Sequence, residues 1–85
     1  MVIKKRGRHE EYAREKLQSG IGKALEKRPG IDRVSEIVGR IEGRIRSKNL
    51  KEVPTTLIGR WVLSELKRVD GVAYLRFASV YRTFQ

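Results

Sequence analysis

Asp32-Arg33-Val34-Ser35-Glu36-Ile37-Val38-Gly39-Arg40-Ile41-Glu42-Gly43-Arg44-Ile45-Arg46 reads as one amphipathic helix. Val34, Ile37, Val38, Ile41 and Ile45 recur at the 3.6-residue period and form a continuous apolar stripe. Glu36, Arg40, Glu42, Arg44 and Arg46 occupy the other face, and Asp32 offers a carboxylate suited to cap the first turn. A helix apolar along one side must bury that side against other elements, so the flanking segments are expected to supply a bundle.

Upstream, Leu17, Ile21, Ala24 and Leu25 make a second helical stripe beginning near Ala13, which the pair Pro29-Gly30 after Arg28 is expected to stop. Before it, Val2 to Lys5 and Arg8 to Tyr12 are β-prone runs joined by Arg6-Gly7, the pattern of a tight hairpin. Downstream, Leu50 to Val53 has strand character and is a candidate third strand beside the hairpin. Thr55 or Thr56 is then expected to cap a third helix lined by Ile58, Trp61, Val62, Leu66 and Val69, which Asp70-Gly71 interrupts. A final helix over Val72 to Phe84 carries Ala73, Phe77, Val80 and Phe84 on one face, read as core, and Tyr74, Ala78 and Tyr81 on another. These elements predict an α+β fold dominated by helices.

The chain has 85 residues, enough for one modest core and a single domain. Twenty Lys and Arg against ten Asp and Glu give a formal charge of +10, a field that attracts phosphate-bearing partners without choosing among nucleotide, nucleic acid and membrane. The absence of cysteine excludes disulfides, thiolate nucleophiles and cysteine-ligated zinc, and the single histidine cannot build a histidine metal site. No apolar run is long enough for a signal peptide or a membrane span, so a cytoplasmic location without membrane contact is expected.

Lys4, Lys5, Arg6 and Arg8 form a cationic hairpin tip with no acid among them. Alternation along a strand sends Lys4 and Lys5 to opposite faces, so only one of them can overlie the core side. The same alternation separates Glu10 from Glu11 and rules out shared acid–base work. Gly20-Ile21-Gly22-Lys23 lacks the spacing of a P-loop and is read as helix packing. No serine has a plausible base, His9 reads as an exposed strand residue, and no catalytic constellation emerges. Tyr74 and Tyr81, with Arg76 and Arg82 beside them, have the composition of a subunit contact.

Val2-Ile3-Lys4-Lys5-Arg6-Gly7-Arg8, followed by Glu10 and Arg14-Glu15-Lys16-Leu17, resembles the opening motif of ATP-cone domains. The run from Val72 to Phe84 is similar to the end of the ATP-cone in NrdR-type ribonucleotide-reductase repressors, and Glu52-Val53-Pro54-Thr55 extends the likeness across the chain. The resemblance implies a four-helix bundle capped by a three-stranded sheet, with ATP or dATP bound beneath the cap and magnesium only as a companion of the triphosphate. It implies that Lys4 and Lys5 meet phosphates, Val2 meets the base, Glu10 and Lys16 make polar contacts, and the Thr55 hydroxyl lies near the nucleotide. Tyr81 falls in a Tyr-Arg-x-Phe element linked to assembly, which makes Tyr74, Tyr81 and Arg82 the expected oligomer contacts of a homo-oligomer. The repressors also carry a zinc ribbon with Cys-x-x-Cys pairs, whereas residues 1–85 are expected to form a single cone without zinc. Arg6 stands where the family usually has an acid, and Ala13 where it has a polar residue.

Two functional readings follow. One is a nucleotide-sensing regulatory module that oligomerises and controls ribonucleotide-reductase genes or the enzyme, alone or through a DNA-binding partner. The other is a basic DNA- or RNA-binding module using Arg33, Arg40, Arg44 and Arg46 as phosphate contacts.

Overall fold

A computed structural model describes residues 1–83, with side chains through Tyr81. Strands β1 (Val2–Lys5) and β2 (Arg8–Glu11) form the hairpin, helices α1 (Arg14–Ala24) and α2 (Val34–Lys48) follow, and strand β3 (Glu52–Pro54) leads into helices α3 (Thr55–Val69) and α4 (Gly71–Thr83). The sheet order is β2-β1-β3, with β1 antiparallel to β2 and parallel to β3. This is the α+β architecture expected, with the short sheet lying across one end of a four-helix bundle.

The hairpin closes through Arg6 and Gly7, whose φ angles of 50° and 81° satisfy the positive φ that a two-residue type I′ turn demands at both positions. Ile21, Leu25, Ile37, Val38, Ile41, Val62 and Leu66 form the helical core, each essentially without solvent contact. Val53 joins them from β3 and lies beside Ile3 in the parallel pairing, which pins the sheet onto the bundle.

Several boundaries differ from expectation. The first helix ends at Ala24 and not at Arg28, because the chain reverses through Lys27 at φ 60°, and Arg76 Nη1 donates to the carbonyls of Ala24 (3.1 Å) and Glu26 (2.9 Å). A side chain from α4 thereby satisfies acceptors that a helix end leaves open. Asp32 is not a cap: it sits in a 3₁₀ turn over Pro29–Arg33 whose helical backbone leads straight into α2. Neither Thr55 nor Thr56 caps α3; the helix begins at Thr55 after the extended Pro54, and no side chain caps it.

Asp70 is the cap that periodicity missed. Its Oδ1 accepts the Ala73 N–H at 2.9 Å, starting α4, while Arg28 Nε donates to both carboxylate oxygens at 3.1 and 3.0 Å. Within α4, Ala73 is buried and Phe77 packs on the core, but Val80 is 56% exposed because none of the described elements covers that side. Phe84, expected on the same face, lies outside the described residues. The glycine pair of α1 is not a close-packing point either: a methyl at Gly20 would have ordinary room against Phe77, and Gly22 faces nothing. The tight approaches are at Gly30, against Val69, and at Gly59, against Tyr81.

Candidate nucleotide-binding site

The pairing of β1 with β2 decides which side chains look toward the bundle. Ile3 lies opposite Glu10 and Lys5 opposite Arg8, while Val2 faces Glu11 and Lys4 faces His9. Directly opposed residues share a face and neighbours alternate, so the set with Ile3, Lys5 and Glu10 turns to the helices and the set with Val2, Lys4 and His9 turns away. Lys4 is accordingly exposed and Lys5 half-buried.

Beneath the inward face runs a groove with two lobes of about 490 and 330 Å³. Lys5, Leu17, Thr55, Ile58 and Phe77 line both lobes, so the two adjoin. The larger lobe adds Arg6, Thr56, Gly59, Val62, Val80 and Tyr81, and the smaller adds Ile3, Glu10, Glu11, Tyr12, Ala13 and Lys16. The floor is apolar, from Leu17, Ile58, Val62 and Phe77. The rim is polar and mixed in charge, with Lys5, Arg6 and Lys16 set against Glu10 and Glu11.

The hairpin is tied down at its base and along its outer face. Tyr12 N–H donates to Met1 O at 2.9 Å, and the terminal ammonium reaches Glu11 at 3.2 Å. On the outer face His9 Nε2 lies 2.6 Å from Glu52 Oε2, linking β2 to β3 across the central strand. Tyr12 donates its hydroxyl to Glu42 Oε2 at 2.7 Å, and Arg14 pairs with the other oxygen of the same carboxylate. Burial, reinforced by the bond to Glu42, pushes the Tyr12 hydroxyl well above the usual tyrosine range. The root of the hairpin therefore rests on α2 through a neutral donor that stays protonated.

The structure brings four of the six expected nucleotide contacts to this groove: Lys5, Glu10, Lys16 and Thr55. Val2 and Lys4 lie on the opposite face of the hairpin, as the pleat requires. Tyr81, expected at an assembly contact, forms the far wall of the larger lobe; its hydroxyl donates to Thr56 O at 2.9 Å and its ring lies on Gly59. Tyr74 packs partly into the core, and the Arg82 side chain lies outside those described. Sequence reasoning recognised Leu17, Ile58 and Phe77 as apolar stripe residues, but nothing in their spacing distinguishes a groove floor from a closed core.

Among the described residues no group of His, Asp or Glu side chains could hold a metal ion by itself, and no helix is long and apolar enough to cross a membrane. The ATP cone domain family matches residues 1–85. Curated relatives include proteins named transcriptional repressor NrdR: that of Ligilactobacillus salivarius is 54% identical over 86 residues, covering the whole chain and 55% of the relative. Those of Pelobacter propionicus and Citrifermentans bemidjiense are 50% and 49% identical over 86 residues, each alignment covering the whole chain and 57% of the relative. The chain thus spans just over half the length of these relatives. With its sheet-capped bundle, its basic hairpin and this match along its full length, the chain belongs to the ATP-cone family.

Proposed function

We propose that this chain is a non-enzymatic regulatory domain that binds ATP or dATP in the groove under the hairpin. The observation that supports it most is the placement of Lys5, Lys16 and Thr55 around an apolar floor of Leu17, Ile58 and Phe77. An adenine needs an apolar slot with a few polar partners and a triphosphate needs converging cations, and the groove offers both. Lys5 and Lys16 are the phosphate ligands, Thr55 and Glu10 fix ribose or base hydrogen bonds, and Tyr81 closes the end of the slot. Magnesium enters with the triphosphate, whose oxygens supply most of its ligands.

The similarity to repressors extends the reading to the regulation of ribonucleotide-reductase genes, with DNA engaged by the protein or a partner. Nucleotide identity controls self-association in this reading. Such control requires ATP and dATP to favour different assemblies by different free energies, so their single distinguishing hydroxyl must be sensed where the groove wall moves. Tyr81 belongs both to that wall and to α4, whose far end carries Arg82.

Calorimetric titration with ATP and dATP tests the site. Saturable binding is expected for the wild type, with loss of at least about tenfold in affinity for Lys5→Ala with Lys16→Ala, since each charge-assisted bond contributes about 1.5–3 kcal/mol. Absence of binding at millimolar nucleotide, or binding indifferent to the double substitution, sinks the assignment. Light scattering with each nucleotide tests the assembly clause separately: identical mass with ATP, with dATP and without ligand overturns it.

A further inference from the structure

Glu65 is a buried carboxylate that the groove does not use. Its side chain is 4% exposed and sits in the seam between α2 and α3, where Oε1 accepts from Arg40 Nη1 and Oε2 from Arg68 Nη2, both at 3.2 Å. Arg40 and Arg68 are themselves 52% and 69% exposed. One turn along α2, the guanidinium of Arg44 lies over the ring of the buried Trp61 at 4.8 Å from its centroid. One turn further, Lys48 is exposed with no acidic partner among the described residues.

Arg40, Arg44 and Lys48 are spaced i, i+4, i+8 and so stand in one row about 6 Å apart along α2. Glu65 and Trp61 hold three guanidinium groups from below, and Glu36 at 2.7 Å from Arg40 is the exposed acid at the edge of this row. A pinned, planar guanidinium loses less conformational freedom on meeting a phosphate than a mobile side chain. Arg46, two residues from Arg44, turns to another side of the helix, where it lines a cavity with Met1 and Leu50.

We propose that the α2–α3 seam is a second, separate binding surface that grips the phosphodiester backbone of duplex DNA through Arg40, Arg44, Lys48 and Arg68, without reading its sequence. Regularly spaced cations on a rigid helix fit a regularly spaced polyanion. Between Arg40 and Lys48, and on the facing stretch of α3 from Trp61 to Arg68, no large apolar side chain is exposed to enter a lipid layer, and Trp61 is buried beneath Arg44.

Fluorescence anisotropy of a labelled duplex of arbitrary sequence, titrated with the whole chain over a range of sodium chloride, tests this. Wild-type affinity is expected to fall linearly on logarithmic axes. Arg44→Gln with Lys48→Gln should flatten the slope by about 2, near 0.9 for each phosphate left without its cation, and weaken low-salt binding at least about tenfold. Among the described residues neither side chain pairs with a carboxylate, so neither substitution strands a buried charge, and Lys48→Gln alone, which leaves Arg44 on Trp61 and should give half the change in slope, serves if the double variant melts early. ATP calorimetry should be unchanged in these variants, which separates the seam from the groove. Three results overturn the proposal: no duplex binding at low salt, an unaltered slope in the double variant, or an equal loss in the remote pair Lys23→Ala with Lys27→Gly. Binding to phosphatidylserine vesicles in place of DNA overturns it as well.

Discussion

A methyl group placed on Gly59 would stand 2.2 Å from Tyr81 Cε2, far inside contact distance, and the neighbour is a ring whose hydroxyl is already committed to Thr56 O. Alanine ordinarily favours a helix over glycine by about 1 kcal/mol; here the overlap wins. Gly59→Ala is expected to destabilise the fold by about 2 kcal/mol, lowering Tm by roughly 8–16 °C in a thermal melt, and pairing it with Tyr81→Ala should restore part of the loss. Tyr81→Phe keeps the packing and removes one hydrogen bond, an expected cost of about 1 kcal/mol. In the sequence Gly59 only interrupts an apolar stripe, because its partner lies on another helix. Glu65 was equally hidden, since a carboxylate beside Leu66 becomes buried only once Arg40 and Arg68 are seen to bracket it.

Among the elements, α4 depends on the cap at its start, and the hairpin on its turn. The Ala73 N–H, helped by the Arg28 guanidinium, holds the Asp70 carboxyl below its usual range against the opposing effect of burial. A folded-state pKa lower than the unfolded one contributes stability that is complete above the ordinary aspartate range and disappears as pH falls through the folded value. Denaturation followed from neutral to acid pH should therefore show a decline below about pH 4 that Asp70→Asn makes shallower, with the variant less stable at neutrality. At the hairpin, Gly7 sits at φ 81° with open space around it, so a side chain there meets backbone strain alone. Gly7→Val is expected to cost about 1–2 kcal/mol locally, reducing nucleotide affinity about five- to thirtyfold by calorimetry with little change in helical circular dichroism. The strand and helix types were legible from periodicity, whereas the caps were not: Asp32, Thr55 and Thr56 have capping side chains but follow backbone that is already helical or held extended by Pro54.

At the scale of the molecule, binding under the hairpin should report itself as stability, since a ligand held only by the folded state adds about 2.7 kcal/mol at a hundred times its Kd. ATP at that excess is expected to raise Tm by roughly 10–20 °C, and Lys5→Ala with Lys16→Ala should erase the rise while leaving the unliganded Tm nearly unaltered, as both residues lie at the groove rim. A comparable rise in the double variant would place the nucleotide elsewhere. The sequence by itself determined the hairpin followed by helices, the apolar stripe of α2 and the basic hairpin tip, because charge density, turn chemistry and periodicity are properties of neighbouring residues. Only the tertiary structure decided that Lys5 and not Lys4 overlies the groove, that Tyr81 walls it, and that Glu65 draws Arg40 and Arg68 into one seam. Those outcomes rest on the register between strands and on contacts between helices far apart in the chain, and no local pattern encodes the distance between residues that meet only when the bundle closes.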